Sequence, residues 1–502
     1  MTDSSSKAVD GAVITGAGLL AIGIGGLVWL DAVNGTLRSS VIPTTIWWFL
    51  IAAVGYVLLF ALQGRTETIF SWRWLLGLGV VLRLALLFTE PTLSDDVYRY
   101  IWEGHLVTQG VSPWEFPIES PQGDPFDIAA RGLANNTSFA SPYLPVAQGI
   151  FATSTLIGPL QPITMQIVMV GFDLVAVFVM LRLLRALGLP EKRSLIYWLN
   201  PLVIVEIAHG AHLDAIIVAF TMLALWLTFD VANRHPRAVE LGIVALAAAT
   251  LTRPLAALFV AVFFWRWTWP QRILYGVLTL VPVGGVAAIS GLGLTEGDTT
   301  GAFGSALTYG RTFRFNSGIF HWFGVWISRQ PEVFDRGYEA SFDLAREILV
   351  PIVAIAMLAL FIRARHVHEP LQAIRFLTAP LIVYVLFTTV LHPWYILVLL
   401  MLLPFMAPAV GETALRWVLL GPWVALSVLL IFSYLTFENP LAHAELEWVR
   451  RVEWLPTFGL LLVAGVAAAI LRLGQPLASA PVVPVTVAEK RIETIEIDVS
   501  ER

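Results

Sequence analysis

Two adjacent aspartates, Asp95 and Asp96, directly follow a long apolar stretch. Only 13% of the 502 residues are charged, and ionisable side chains beside a membrane segment are costly to keep and usually functional. A carboxylate within hydrogen-bond reach of a hydroxyl can act as a general base. The pair therefore predicts an acid/base site at a membrane surface, with Tyr98 and Arg99 beside it as substrate-binding candidates.

Polar residues also stand at later turns between apolar segments. Their types can bind an anion or hydrogen-bond a substrate, and the candidates for substrate binding are Glu206, His209, His212, Asp214, Arg253, Arg311, Arg314, Asn316, His392, Trp394 and Tyr395. Helix capping and snorkelling of Arg253 to the surface remain alternatives for individual residues. The 206–214 turn resembles a metal site in residue type, but the spacing of its two histidines matches no strong zinc pattern, so a metal is an alternative to substrate hydrogen bonding there.

The composition places the rest of the chain in a membrane. Hydrophobic residues make up 57% of the sequence, and apolar runs of roughly 17–25 residues recur along it. We therefore predict an all-α polytopic membrane protein, a bundle of about 14 transmembrane helices with long extracytoplasmic loops that carry short helices. The net charge of −5 gives no indication of nucleic-acid binding, and the absence of cysteine excludes disulfides and thiolate metal sites.

The basic residues predict the orientation. With the N-terminus inside, the short inward loops carry most of the Arg and Lys residues of the short loops, as the positive-inside rule requires. This holds when the apolar segment 143–160 is a re-entrant or interfacial helix rather than a span. Two long loops, 90–142 and 292–343, and all the polar turns named above then lie on the extracytoplasmic side of the cell membrane.

Four regions follow from this topology. We predict an N-terminal two-span extension over 1–72 and a catalytic transmembrane core over 73–435, with its outer loops at 90–142 and 292–343. A C-terminal outer loop and last span follow over 436–474, and a cytoplasmic tail without stable structure covers 475–502.

The outer-face residues suit a sugar attached to a lipid phosphate. The phosphate leaving group is a stable anion that Arg side chains can bind in a bidentate manner, while an acceptor hydroxyl needs a base, which one aspartate can supply. The expected partners are a polyprenyl-phosphate sugar donor, a glycolipid or glycan acceptor and membrane lipids.

The chain resembles the GT-C superfamily of integral membrane glycosyltransferases, in particular bacterial polyprenyl-phosphate-mannose-dependent mannosyltransferases. The matching stretches are Ser94 to Gly104, Gly110-Val111-Ser112-Pro113-Trp114, Ser141 to Gln148, Asn200-Pro201-Leu202 with Glu206 and His212-Leu213-Asp214, and His392-Pro393-Trp394-Tyr395. The resemblance covers about residues 73–435 and departs from the family at Ser112, Trp114 and Leu144.

The resemblance implies a GT-C-like fold, an inverting transfer of a sugar, mannose above others, and a donor that enters laterally from the outer leaflet. It implies that Asp95 or Asp96 is the catalytic base; Asp95, the first acidic residue of the motif, is favoured and Asp96 stays open. Because most relatives with single-sugar lipid donors require no metal, the resemblance also implies no metal, and we predict no other cofactor. Arabinofuranosyl or glucosyl transfer would look nearly identical in sequence.

A transporter or lipid-linked sugar flippase is the main alternative function. It would place carboxylates near the membrane midplane in broken helices, usually within inverted repeats. In this chain the carboxylates lie at an outer edge and the sequence shows no repeat at a fixed period, so enzymatic sugar transfer is favoured. A non-catalytic membrane scaffold would leave the clustering of polar residues on the outer face unexplained.

Overall fold

A computed structural model describes residues 2–62, 72–295, 297–330, 337–408, 413–437 and 446–473. These residues form helices and connecting loops, with one isolated parallel bridge between Phe315 and Val390. The prediction of an all-α polytopic membrane protein is confirmed. The tail predicted over 475–502 lies outside the described residues.

The α-helices, in chain order, are α1 Thr2–Asn34, α2 Ile42–Leu62, α3 Arg73–Leu86, α4 Asp96–Thr108, α5 Ala129–Leu133, α6 Pro145–Ile157, α7 Pro162–Ala186, α8 Leu195–Trp198, α9 Pro201–Ala208, α10 Asp214–Phe229, α11 Ala238–Thr250, α12 Val260–Phe264, α13 Trp269–Ser290, α14 Gly301–Thr312, α15 Ile319–Ser328, α16 Tyr338–Arg363, α17 Pro370–Phe376, α18 Thr378–Phe387, α19 Leu397–Leu400, α20 Leu403–Met406, α21 Thr413–Leu429, α22 Tyr434–Phe437 and α23 Glu447–Leu473. Short 3₁₀ helices join several of them, including Ser39–Val41, Pro254–Phe259 and Pro393–Ile396.

Eight helical segments among the described residues are long and apolar enough to cross a membrane. They are Val9–Asn34, Ser39–Leu62, Pro162–Ala186, Asp214–Asn233, Trp269–Ser290, Tyr338–His366, Pro370–Phe387 and Ala414–Thr436. Shorter apolar helices include Pro145–Ile157 and Ala238–Thr250. The count of about 14 spans therefore stays a prediction, while α6, with 13 residues, is shorter than the roughly 20 that a full crossing needs.

Helices α1 and α2 form a tightly packed hairpin at the N-terminus. A Cβ added to Gly26 would lie 2.2 Å from the ring of Trp48, and one added to Gly23 would lie 2.4 Å from the backbone nitrogen of Ala52. Small residues at such positions let two membrane helices approach closely. The hairpin turn docks onto the segment before α4, where the backbone N–H of Leu37 donates a 2.9 Å hydrogen bond to the Thr92 hydroxyl.

The two long loops contain short helices, as predicted, and pack on each other. The first contains α4 and α5, and the second contains α14 and α15. Ser305 of α14 donates a 2.8 Å hydrogen bond to the carbonyl of Ala140, whose own N–H donates to Thr299 at 2.9 Å. These contacts bring both loops to one end of the bundle, where the polar turns also lie.

Candidate active site

The two aspartates at the start of α4 have different surroundings. Asp95 precedes the helix, 41% of its side chain is exposed, and its carboxylate lies 3.3 Å from Nη1 of Arg38. Burial raises the pKa of Asp95, Arg38 lowers it and Asp96 raises it. Asp96 accepts a 2.6 Å hydrogen bond from the amide of Asn135 and a 3.4 Å one from the hydroxyl of Tyr100. Asp95 thus faces the N-terminal hairpin, whereas Asp96 faces the first long loop.

Arg99 fixes the loop that holds Asp96. Its Nε donates to Glu103 at 2.7 Å, and its two terminal nitrogens donate to four loop carbonyls at 2.6–3.2 Å, those of Asn135, Asn136, Phe139 and Ala140. Only 2% of the residue is exposed. Arg99 was predicted to bind substrate; the structure instead commits each of its nitrogens to protein partners, which places the Asn135 amide against Asp96.

A sharp turn between α9 and α10 groups the next set of polar residues. The Asn200 side chain accepts from the N–H of Leu202 at 2.9 Å, which starts α9. Ala211, with φ of 54°, lies in the left-handed region that non-glycine residues seldom occupy. The turn joins the end of α9 to the start of α10, and Glu206, His212 and Asp214 of this segment are all buried.

The two histidines of this turn make different contacts. Nδ1 of His209 lies 2.8 Å from the hydroxyl of Thr89, and Gln166 donates a 3.1 Å hydrogen bond to the carbonyl of His209. Burial, assisted by the charge of His212, lowers the pKa of His209 to about 3. His212 instead has Nε2 3.2 Å from Glu206 and Nδ1 3.8 Å from Asp96. His209 ties the turn to the bundle, while His212 lies between two carboxylates.

Three rings form a stack that links this turn to the one before α19. His212 and Trp394 stack with centroids 3.7 Å apart, and Trp394 and His392 stack at 4.5 Å, with nearly parallel planes. The hydroxyl of Tyr309 lies 3.0 Å from Nε2 of His392. Burial lowers the pKa of His392 to about 3, although Asp96 acts in the opposite direction. The stack therefore connects Asp96 to α14 of the second long loop.

Arg253 is the cation of the site. Its Nη1 donates to Asp214 at 3.0 and 3.3 Å, and its guanidinium lies 4.3 Å from the ring centre of Tyr395. Burial lowers the pKa of Arg253, but Asp214 and nearby tyrosines raise it above its ordinary value. The Arg253 side chain is 17% exposed, and no described residue accepts a hydrogen bond from its Nε or Nη2. One edge of the guanidinium thus remains open to an anion.

Asp96 and Arg253 both interact with Tyr100: the Tyr100 hydroxyl donates to Asp96, and the charge of Arg253 acts on the same ring. Burial raises the pKa of Tyr100 well above its usual value; Tyr143 and Asp96 raise it further, and Arg253 lowers it. A Coulomb interaction weakens with distance, so the carboxylate and the cation both lie near this ring. The carboxylate of Asp96 and the guanidinium of Arg253 therefore belong to one cluster of side chains.

Four other predicted residues lie at its margin. Tyr98 donates a 2.6 Å hydrogen bond to Glu90, and Arg314 forms a pair with Glu339 at 2.7 Å. Arg311 is exposed and forms no hydrogen bond or ion pair with a described residue. Asn316 is buried, and its backbone carbonyl accepts a 3.0 Å hydrogen bond from Trp454. Their proposed contacts with substrate stay predictions.

Sequence reasoning missed four residues that touch the site: Arg38, Asn135, Tyr309 and Tyr434. Arg38 did carry a signal, because it is a basic residue in a short loop predicted to face outward. Asn135, Tyr309 and Tyr434 contact residues between 39 and 228 positions away, and nothing in their local pattern distinguishes them from other polar residues.

A comparison with known families agrees with this geometry. Residues 11–269 match the model of the MptA_B family, described as alpha-(1->6)-mannopyranosyltransferase, N-terminal domain. The chain belongs to this mannosyltransferase family. The match includes α1 and α2, which the sequence resemblance had left outside its range. Comparison with curated proteins and with solved structures finds no match.

The residues grouped here offer acid/base and anion-binding chemistry. Asp96 can accept a proton, and the open edge of Arg253 can bind a phosphate. The described residues contain no group of three or more His, Cys, Asp or Glu side chains that could hold a metal ion.

Proposed function

We propose that the protein transfers mannose from a polyprenyl-phosphate donor to a hydroxyl of an extracytoplasmic glycolipid or glycan. Membership of the mannosyltransferase family supports the sugar. The main support for a lipid-phosphate donor is the open edge of Arg253, which lies beside a carboxylate and at the ends of apolar helices. The ends of apolar helices lie at the level of lipid headgroups, so a lipid-linked phosphate reaches them without leaving the membrane.

The donor phosphate binds Arg253 in this proposal. Asp214 holds one terminal nitrogen and Tyr395 covers one face, so the guanidinium is oriented before the ligand arrives. Bidentate Arg–phosphate contacts are strong and directional. The negative charge that develops on the leaving oxygen is therefore stabilised without a proton donor.

Asp96 acts as the base. The resemblance favours Asp95, and that preference remains untested. Three features support Asp96: it shares Tyr100 with Arg253, its carboxylate is oriented by Asn135, and His212 lies behind it. Asp95 has the charge of Arg38 as its partner, so it is better suited to hold the N-terminal hairpin on the loop.

The reaction is a direct displacement. The acceptor hydroxyl gives its proton to Asp96 while its oxygen attacks the anomeric carbon. The bond between that carbon and the phosphate oxygen breaks, and the phosphate leaves with the electron pair. Attack from the face opposite the phosphate inverts the anomeric centre, so an α-(1→6) product, as the family description suggests, requires a β-linked donor.

Purified protein in proteoliposomes with labelled polyprenyl-phosphate mannose and a mannoside acceptor tests the proposal. Asp96→Asn removes the base, and we expect transfer to fall about 100- to 10,000-fold. Asp95→Asn is the matched control and is expected to lower transfer less than about tenfold, since only a partly exposed ion pair is lost. Both variants should unfold at temperatures close to that of the parent protein.

Normal transfer by Asp96→Asn would contradict the assignment of the base, and loss of transfer in Asp95→Asn alone would move the role to Asp95. Movement of the lipid across the bilayer without any glycoside product would support the transporter instead.

A further inference from the structure

His212 is a buried side chain whose two ring nitrogens face two carboxylates. Nδ1 lies 3.8 Å from Oδ2 of Asp96, and Nε2 lies 3.2 Å from Oε2 of Glu206. Neither approach has hydrogen-bond geometry, and neither nitrogen has a hydrogen-bond partner among the described residues. Since nearly all buried polar groups are paired, a fully buried imidazole that faces two carboxylates without a hydrogen bond to either is unusual and calls for an explanation.

Glu206 is the carboxylate on the Nε2 side of His212. It is buried, and its two oxygens accept hydrogen bonds of 2.8 and 3.0 Å from the hydroxyl of Tyr434. The imidazole of His212 is its other close partner. Its Oε2 atom therefore lies close enough to Nε2 to accept a proton after a small movement of the imidazole.

The stacking on Trp394 restricts how His212 moves. The ring planes differ by 11° and the centroids lie 3.7 Å apart, so the imidazole can slide in its own plane but cannot tilt. A shift of under about 1 Å brings Nδ1 within hydrogen-bond distance of Asp96. The other charged or titratable groups around His212 are His209, Asp214 and His392.

We propose that His212 and Glu206 form a proton relay that removes from Asp96 the proton taken from the acceptor hydroxyl. The relay rests on the proposed transfer, with Asp96 as base. After the glycosidic bond forms, the O–H bond of Asp96 breaks and its proton passes to Nδ1 of His212. The proton on Nε2 passes to Glu206, which leaves Asp96 ionised while the product departs. Once the product has left, Glu206 returns its proton to Nε2 and Nδ1 returns one to Asp96, whose side chain is 15% exposed and releases the proton to water.

Nitrogen NMR of protein labelled with ¹⁵N-histidine tests the contacts without requiring activity. The chain has nine histidines, and the signal of His212 is the one lost in His212→Gln. We expect this signal to shift in Asp96→Asn and in Glu206→Gln and to stay in place in Asp95→Asn, because Asp95 contacts Arg38 rather than the imidazole. A His212 signal that stays in place in both Asp96→Asn and Glu206→Gln would overturn the relay.

Steady-state kinetics supply the second measurement. Glu206→Gln keeps the size of the side chain, and we expect it to lower kcat about 10- to 100-fold while KM for donor and acceptor stays within about twofold. A merely structural role would change KM or stability instead. Unchanged kcat in Glu206→Gln with a fully active parent would overturn the relay, whereas a parent protein that forms no glycoside would overturn the proposed function itself.

Discussion

Two buried Arg–Asp pairs differ in how completely the protein surrounds them. In the first, Arg83 donates from Nε to Asp173 at 2.6 Å and from Nη1 to two backbone carbonyls, and neither side chain is exposed. Trp198 stacks on the guanidinium at 3.5 Å, and Tyr197 donates to the other oxygen of Asp173 at 2.8 Å. This pair joins α3, α7 and α8 and is closed to solvent.

The second pair, Arg253–Asp214, uses the same residue types but is open. One guanidinium nitrogen contacts Asp214, one ring covers a face, and the remaining edge is accessible. Arg83 also has a nitrogen without a partner, Nη2, but it is buried. Neither burial of an ion pair nor an unused donor is therefore in itself a sign of function; a donor that a ligand can reach is. His209 and His212 repeat the contrast within one turn, since the first has Thr89 as its partner and the second faces two carboxylates.

Arg83→Ala should give the largest effect on stability. It leaves Asp173 as an unpaired buried charge, and breaking a buried pair costs about 3–5 kcal/mol. We expect a large drop in the unfolding temperature in detergent micelles, with KM unchanged in the protein that stays folded. The double variant Arg83→Ala, Asp173→Ala is the control. Its loss of stability should be smaller than the sum of the losses in the two single variants. An Arg83→Ala variant as stable as the parent protein would contradict the structural role assigned to the Arg83–Asp173 pair.

Arg253→Lys should affect turnover rather than stability. Lysine keeps the charge beside Asp214 but lacks the planar fork that binds phosphate. We expect kcat/KM for the lipid donor to fall about 10- to 100-fold, a loss of about 1.4–2.8 kcal/mol, measured in proteoliposomes. The matched change Arg83→Lys should show the opposite pattern. Equal losses of stability in both variants would show that the outer pair is structural as well.

The smallest effect expected is the pH dependence of stability from His209. Its pKa is lowered by burial to about 3, against about 6.5 in an unfolded chain, so the unfolded state binds more protons as the pH falls below 6.5. Stability is therefore lost between pH 6.5 and 3, by about 1.4 kcal/mol at pH 5.5. His209→Gln should remove this part of the acid sensitivity in unfolding experiments. An identical acid response in the variant would contradict a buried neutral His209.

Local sequence predicted the helical architecture and the polar turns, because apolar runs and single charges between them are local properties. It also predicted that residues of the 206–214 turn, Arg253 and the 392–395 turn belong together, from topology alone. It did not distinguish His209 from His212, since both lie in one turn and only contacts with Thr89, Asp96 and Glu206 separate them.

The partners of the aspartates could not be predicted for a similar reason. Arg38 and Asn135 reach Asp95 and Asp96 from 57 and 39 residues away, so their roles depend on tertiary packing. Arg99 lies one turn from Asp95, and its position beside the acidic pair suggested substrate contact. Its nitrogens turn instead to the loop carbonyls, which only the fold of residues 135–140 reveals.

A structure of the Asp96→Asn variant with bound polyprenyl-phosphate mannose tests the central claim most directly. This variant lacks the proposed base, so the bound donor stays intact. We predict phosphate oxygens within about 3 Å of Nε or Nη2 of Arg253, with the anomeric carbon between the phosphate and residue 96. A phosphate bound by Arg311 or Arg314 instead, or a sugar directed toward Asp95, would contradict the assignment of the open outer pair as the donor site.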